Sequence, residues 1–284
     1  MVSKLITSIV FAKDEAHRLP LVFRNLSDFS KIIVFDGGST DKTREVCEIA
    51  GVGFVERPGY LRNEIGGDCK FAYERVETPY LLNVNCSHLY PPKLLELFKQ
   101  IAQEGRFKAV YHTIDIYTYC SVVHRPFFRR KSTAANFYHQ DAINFSNSVV
   151  HNEAPVEVRE ALKWHAPSTD EYSVKIFRDY NIKKAESNHS FYGDLEAQQR
   201  YETGVRTSIV SILLRPTTYF IHQYLRCGSI CYGMPGFIYS VMYAQLELNI
   251  QLKIWELQNS YDMPSIIRGN LLIRSKMLDE QVTG

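Results

Sequence analysis

The segment Ile33-Val-Phe-Asp-Gly-Gly-Ser-Thr-Asp-Lys-Thr43 holds the densest chemistry in the chain. An apolar run ends in Asp36, a glycine pair follows, and Ser39 to Asp41 have the composition of a helix start. A carboxylate so placed stands at the carboxyl end of a strand, where open α/β sheets bind ligands. There it can accept hydrogen bonds from a base or a ribose. Asp41 and Thr43 are expected to cap the following helix. An ordinary strand–turn–helix joint has the same pattern. His88, His151 and His165 are further reactive side chains, either converging on a metal or serving as hydrogen-bonded loop residues. The run Arg129-Arg-Lys131, close after Arg125, is basic. Cys47, Cys69, Cys86, Cys120, Cys227 and Cys231 form no CxxC and no paired metal spacing. No disulfide framework is expected, and a reducing cytosol is the expected compartment.

Elements able to position these residues alternate up to about residue 118. Ile6–Phe11, Ile32–Phe35, Val52–Val55, Tyr80–Val84 and Ala109–Ile116 read as strands. Glu15–Leu26, Thr40–Ala50, Gly66–Arg75 and Pro91–Gln103 read as helices. In the first helix Leu19, Val22, Phe23 and Leu26 recur at spacings of three and four, which makes one apolar stripe. This alternation predicts an α/β fold, a mostly parallel sheet with helices on both faces. Asp36 and Asn85 should then end neighbouring strands on one edge. The amino-terminal run Leu5–Phe11 stops at Lys13, lacks a small-residue cleavage site and reads as a buried first strand. Residues 119–165, rich in His, Asn, Arg and aromatics, read as loops and short strands. Ser168, followed by Glu171, reads as the capped start of a long polar helix reaching about Thr203. Two domains are expected, 1–165 and a helical extension over 166–284.

The composition is that of a soluble globular protein: 284 residues, 45% hydrophobic and 23% charged. That length buries a core without covalent staples. Thirty-three basic and 31 acidic side chains leave a net charge of +2, so no nucleic-acid partner is expected. One region departs from this balance. From Thr203 to Leu246 there is no acid, and Arg206, Arg215 and Arg226 are the full charges. Gly228, Gly233, Pro235 and Gly236 interrupt the run, so it does not read as a membrane span. Two broken apolar helices edged by Arg and Tyr suit a membrane-surface contact. They suit equally a hairpin packed on the domain or on another subunit of a homo-oligomer.

The segments Ser8-Ile-Val-Phe-Ala-Lys-Asp-Glu15 and Ile33 to Thr43 resemble family 2 glycosyltransferases of the GT-A fold, most closely the branch of lipopolysaccharide core glucosyltransferases. The likeness continues at Tyr80-Leu-Leu, His151, Trp164-His165, Gly233-Met-Pro-Gly-Phe-Ile238 and Lys253-Ile-Trp-Glu256, in the order of the family and over nearly the whole chain. The resemblance implies inverting transfer from a nucleotide-sugar donor to a glycan or lipid-linked acceptor, reached from the cytoplasmic face of the inner membrane. By resemblance, Ala12, Lys13 and Glu15 line the nucleotide pocket and Asp36 meets the nucleobase. The family carries Asp-x-Asp after the strand placed at Tyr80–Val84, where it holds a divalent cation on the donor diphosphate. Here Asn85-Cys86-Ser87-His88 stands in its place. Hard cations such as Mn²⁺ or Mg²⁺ prefer carboxylate oxygens, so besides a site that no longer catalyses, two outcomes stay open. In one, a cation is retained, with His88 and His165 as ligands. In the other, the site is metal-independent, and Arg62, Lys70, Arg125 or the run 129–131 supplies the positive charge beside Asn85 and Ser87. The proton of the acceptor hydroxyl needs a carboxylate. Glu153, in His151-Asn-Glu-Ala, is the first candidate and Asp141 the reserve. A rival reading is a degenerate relative that binds nucleotide-sugar or glycan as a partner of an active transferase.

Overall fold

The computed structural model describes residues 5–58, 66–125, 134–143, 158–178 and 181–283. The chain divides into two compact units, Met1–Asp179 and Tyr180–Gly284.

The first unit is built on a seven-stranded sheet of order β10-β6-β9-β4-β1-β2-β3. Its strands are β1 (Ile6–Ala12), β2 (Lys31–Asp36), β3 (Gly53–Glu56), β4 (Tyr80–Asn85), β6 (Ala109–His112), β9 (Ala134–His139) and β10 (Lys163–His165). All pair in parallel except β9, which runs antiparallel between β4 and β6. Every residue of β1 is buried, as expected of a strand covered on both faces. Its side chains divide with period two. Ile6, Val10 and Ala12 join Leu82, Val84 and the stripe Leu19, Val22, Phe23 and Leu26 of α1 (Leu19–Leu26). The same face carries Cys47 of α2 (Thr43–Ala50) and Leu94, Phe98 and Ile101 of α4 (Pro92–Glu104). Ile9 and Phe11 point the other way, to Phe35, Leu81 and Ala72 of α3 (Gly66–Tyr73). Helices on both faces of a mostly parallel sheet were expected, and that is the architecture.

Three expectations are corrected. Residues 15–18 are not helical: Asp14 adopts φ 57°, and α1 begins at Leu19 with a proline in its first turn. The run Ala109–Ile116 is two strands, because the chain leaves β6 at Thr113 and enters a second sheet as β7 (Ile114–Thr118). That four-stranded sheet, of order β5-β11-β7-β8, also holds β5 (His88–Leu89), β8 (Ser121–His124) and β11 (Val174–Phe177). Ser168 therefore starts no helix. Asp170–Tyr172 make one 3-10 turn, and Val174–Phe177 pair in parallel with β7 and antiparallel with β5.

The second unit consists of α5 (Ile182–Glu202), α6 (Ile209–Ile221), α7 (Gly233–Gln258) and α8 (Met263–Thr283). Asn181 caps α5, its side-chain oxygen accepting from the Lys184 amide at 2.9 Å. Gly233, Pro235 and Gly236, expected to interrupt a helix, instead lie in the first turn of α7, where a missing proline donor costs nothing. Glycine is required at 236, since a Cβ there would stand 2.0 Å from the Ser229 carbonyl oxygen.

Candidate functional site

The register of the central strands fixes the site. Ala12 pairs with Asp36 across β1 and β2, and Phe11 pairs with Asn85 across β1 and β4. The carboxyl ends of three parallel strands thus bring Ala12, Asp36 and Asn85 to one edge. Asp36 and Asn85 flank β1 instead of lying on directly neighbouring strands. Glu56 ends β3 beside Asp36, and the Arg57 amide donates to the Asp36 carbonyl at 2.8 Å.

The loops after β1 and β2 are locked to each other. Gly37 N–H donates to the Ala12 carbonyl at 2.8 Å, and Asp14 N–H donates to Ser39 Oγ at 2.7 Å. Asp14 Oδ1 accepts from the Thr40 amide at 2.7 Å. The Glu15 amide donates to Thr43 Oγ1 and the Ala16 amide to Asp41 Oδ2, each at 3.0 Å. Asp41 also accepts from the Thr43 amide at 2.9 Å, so it secures the start of α2, as expected. Burial alone would raise the Asp41 carboxyl, but the bonds from Thr43 and Ala16 hold it below its ordinary value.

Asp36, 3% exposed, is turned into its own loop. Its Oδ2 accepts from the amides of Gly38 and Ser39, both at 2.9 Å, and its Oδ1 accepts from the Ser39 hydroxyl. Gly38 adopts φ 83°, the left-handed conformation this turn needs. Beneath the turn lies Arg57, 6% exposed. Its guanidinium stands 5.3 Å from the Phe11 ring centre and 3.5 Å from the Ala12 carbonyl oxygen. A Cβ on Gly37 would come within 2.5 Å of Arg57 Nη2, so this glycine admits the arginine. Lys13 is exposed. Glu15 is held by Arg18, whose Nε lies 2.7 Å from Oε2 and whose Nη2 donates to Oε1 at 3.1 Å.

The end of β4 differs in kind. Asn85 is exposed, Cys86 is buried, and the Cys86 thiol donates to the Phe11 carbonyl at 3.5 Å. Burial pushes that thiol well above its ordinary range, which makes it inert. Ser87 is half-buried, and its carbonyl accepts from the Phe177 amide at 2.8 Å. His88 pairs with Ile176 in the second sheet. Its imidazole is pushed down to about 3 by desolvation, with His112 and Arg178 adding to the effect, and is neutral at pH 7. His88 Nδ1 lies 3.2 Å from Tyr90 Oη, and Tyr90 donates to the Asn83 carbonyl at 3.0 Å. Asn136 donates to the same carbonyl at 3.3 Å and meets His112 Nε2 through Oδ1 at 3.0 Å. A polar network thus runs under the strand end.

Other expected residues lie elsewhere. Asp141 follows the antiparallel β9, whose His139 pairs with Tyr80 at the amino end of β4, and it lies 3.5 Å from Lys108. Lys70 is exposed on α3 and lies 3.9 Å from Glu74. Arg125 follows β8 of the second sheet, 3.4 Å from buried Asp115 and 3.3 Å from Asp170. His88 and His165 belong to different sheets. His165 ends β10, three places from β4 and so roughly 14 Å across the sheet. It bonds Glu160 at 3.1 Å and stacks on Tyr111. Among the described residues no group of three or more His, Cys, Asp or Glu side chains is arranged to hold a metal ion. Glu153, His151, Arg62 and residues 129–131 lie outside the described residues. Sequence reasoning missed Arg57 and the His88–His112 network. Arg57 was within reach, since it follows a strand-like run just as Asp36 does.

No family model matches the chain. The chain is 22% identical over 263 residues to a protein of Rickettsia bellii (strain RML369-C) described as an uncharacterized glycosyltransferase, covering 86% of this chain and 84% of the relative. Among solved structures, the mannosyltransferase PcManGT from Pyrobaculum calidifontis, in complex with GDP-Man and Mn²⁺, superposes with a TM-score of 0.52 at 11% identity, over 88% of this chain and 86% of that one. Residues 1–349 of S. aureus TarS match with a TM-score of 0.45 at 11% identity, over 90% and 92% of the two chains. The chain has a mixed α/β, GT-A-like fold and is homologous to a protein described as a glycosyltransferase.

Proposed function

We propose that the chain moves a sugar from a nucleotide-sugar donor to a glycan or lipid-linked acceptor, with inversion, in the manner of family 2 glycosyltransferases and their lipopolysaccharide-core branch. The observation that carries this reading is the strand edge where Ala12, Asp36 and Asn85 meet behind the interlocked loops of β1 and β2. Such an edge is preformed, so little ordering remains to be done when a nucleotide enters. Asp36 would act by fixing the turn Gly37–Ser39 and, once Ser39 yields, by accepting a bond from the base. Glu153 is the base we assign to the acceptor hydroxyl.

The residues at the end of β4 do not fit a hard divalent cation. Asn85 and Ser87 offer neutral oxygens, and the neutral imidazole of His88 is turned towards Tyr90. The charge that develops on a leaving diphosphate then falls to protein cations. Lys13 and Arg57, which follow β1 and β3 on the same edge, are cations so placed. The neutral pair Asn85 and Ser87 also favours a second reading, a binding relative without turnover. The deciding experiment is a screen of UDP- and GDP-sugars for transfer and hydrolysis, with Mn²⁺ and with chelator, beside nucleotide titration. Turnover in chelator is the expected result. Binding without turnover establishes the second reading, strict Mn²⁺ dependence overturns the account of β4, and absence of both binding and turnover rejects the proposal.

A further inference from the structure

The helical unit carries an exposed apolar surface. On α6, Ile209, Val210, Leu213 and Leu214 are 57–78% exposed, and Ile221, one turn beyond Thr217 and Thr218, is exposed with them. These positions recur at spacings of one, three and four and make a single helix face. The face holds no unspent hydroxyl donor at its two threonines, because Thr217 donates to the Leu213 carbonyl at 3.0 Å and Thr218 to the Arg215 carbonyl at 2.8 Å. Side chains that bond back to their own helix are suited to a medium without water.

Charge selects the occupant. From Thr203 to Leu246 the chain has Arg206, Arg215 and Arg226 and no acid. The first acid after them, Glu247, is 1% exposed, and Arg200 holds it through bonds of 2.9 and 3.0 Å. It therefore puts no negative charge on the surface. Arg215 lies 3.6 Å from the same buried carboxylate, so Arg206 and Arg226 are the exposed charges left to the stretch, and a second copy docking here across a two-fold axis would set them against each other with no acid of the stretch between them. No helix among the described residues is long and apolar enough to cross a membrane, so a partner membrane would be met at its surface. At the end of α6, Phe220 and Tyr224 pack on Phe237 of α7, with ring centres 5.8 Å from it, and aromatic side chains of this kind settle at a headgroup boundary.

We infer that the outer face of α6 docks on an anionic lipid bilayer, with Ile209, Val210, Leu213, Leu214 and Ile221 entering the acyl boundary and Arg206 and Arg226 meeting the headgroups. The inference stands independently of the transfer reaction. The full chain is mixed with vesicles of phosphatidylcholine containing 30 mol% phosphatidylglycerol, and with phosphatidylcholine vesicles alone, and bound protein is measured by flotation. Binding is expected to the anionic vesicles and to fall steeply between roughly 0.1 and 0.5 M salt. Leu213→Gln with Leu214→Gln should lower the partition coefficient by roughly tenfold or more, and Arg226→Gln by about fivefold. Ile209→Gln with Val210→Gln, at the exposed start of the helix, is the second variant should the first fold poorly by circular dichroism. Absence of flotation with either vesicle, or unchanged flotation of folded variants, overturns the inference. A dimer in light scattering that Leu213→Gln with Leu214→Gln dissolves, without vesicle binding, overturns it too and gives the face to a second copy.

Discussion

Asp36→Ala tests the strand edge most directly. The carboxylate accepts two amides and one hydroxyl, and the Ser39 hydroxyl in turn accepts from the Asp14 amide, so one carboxylate holds both loops. A hydrogen bond to a charged group contributes about 1.5–3 kcal/mol. Removing the side chain frees the Gly38 and Ser39 amides to rotate towards water, which recovers part of the loss. A net destabilisation of about 2–3 kcal/mol in urea unfolding is therefore expected. If the carboxylate also meets the base, UDP or GDP affinity falls about 10- to 150-fold, the same energy read in binding. Ser39→Ala separates the two effects. It breaks the link to Asp14 but keeps the carboxylate, so it should weaken nucleotide binding by less than Asp36→Ala if the contact is direct, and equally if Asp36 acts only through the turn. Calorimetric titration of the three proteins reads the difference. Unchanged stability and unchanged affinity in Asp36→Ala would refute the reasoning.

Other perturbations follow from buried groups. The folded His88 imidazole is held at about 3, below its unfolded value of 6.5, so the unfolded chain binds the proton first. The associated stability is complete above pH 6.5 and is lost as pH falls towards 3. Wild type should lose about 1.4 kcal/mol per pH unit in that window relative to His88→Gln, and parallel pH profiles of urea unfolding would remove the cause. Arg200→Met leaves the buried Glu247 carboxylate with Gln251 at 2.9 Å and Arg215 at 3.6 Å, and should cost the helical unit about 1.5–3 kcal/mol, read by proteolysis of α7. Gly236→Ala drives a methyl group into the Ser229 carbonyl and should cost about 1–3 kcal/mol, with a lowered melting temperature as the check.

Legibility from sequence followed the reach of each interaction. Leu19, Val22, Phe23 and Leu26 were readable because a helix stripe is set by near neighbours, and all four are buried. β1 was readable because burial on both faces leaves a continuous apolar run. Thr113 was not readable as a break, since nothing local tells Ala109–His112 from Ile114–Thr118; what parts them is pairing with β9 and β10 on one side and β8 and β11 on the other. Val174–Phe177 escaped for the same reason, as its partners lie at His88–Leu89 and Ile114–Tyr117. At the site, the edge was legible and the orientation was not. The residue type of Asp36 announces a carboxylate at a strand end, but only the turn decides that its oxygens face inward. The place of Asp141 was not legible either, because sequence carries no sign of strand direction: β9 runs antiparallel and ends at the amino end of β4.

The contrast between the two ends of the edge makes one substitution unusually clean. Asn85 ends a strand paired with β1, and the chain beyond Ser87 is fastened by the Phe177 amide and by the pairing of His88 with Ile176. The backbone there is held by two sheets, so Asn85→Asp with Ser87→Asp changes charge far more than shape. Two carboxylates two residues apart, one exposed and one half-buried, repel each other, and Glu15 and Asp36 add to the negative field. Without a divalent cation the double variant should therefore melt below wild type. Mn²⁺ should reverse the loss, because it binds the folded arrangement and not the unfolded chain. At a concentration of about 100 times its dissociation constant the gain is about 2.7 kcal/mol. This readout needs no donor and no activity, so it reports on the cation site even in a protein that only binds. Wild type, with neutral oxygens at both positions, should show no comparable Mn²⁺ shift. An equal shift in both proteins would mean that the cation binds elsewhere and that charge at the end of β4 is irrelevant to it. No shift in either would mean that the two acids are too far apart to share an ion, and that the account of this strand end is wrong in its geometry.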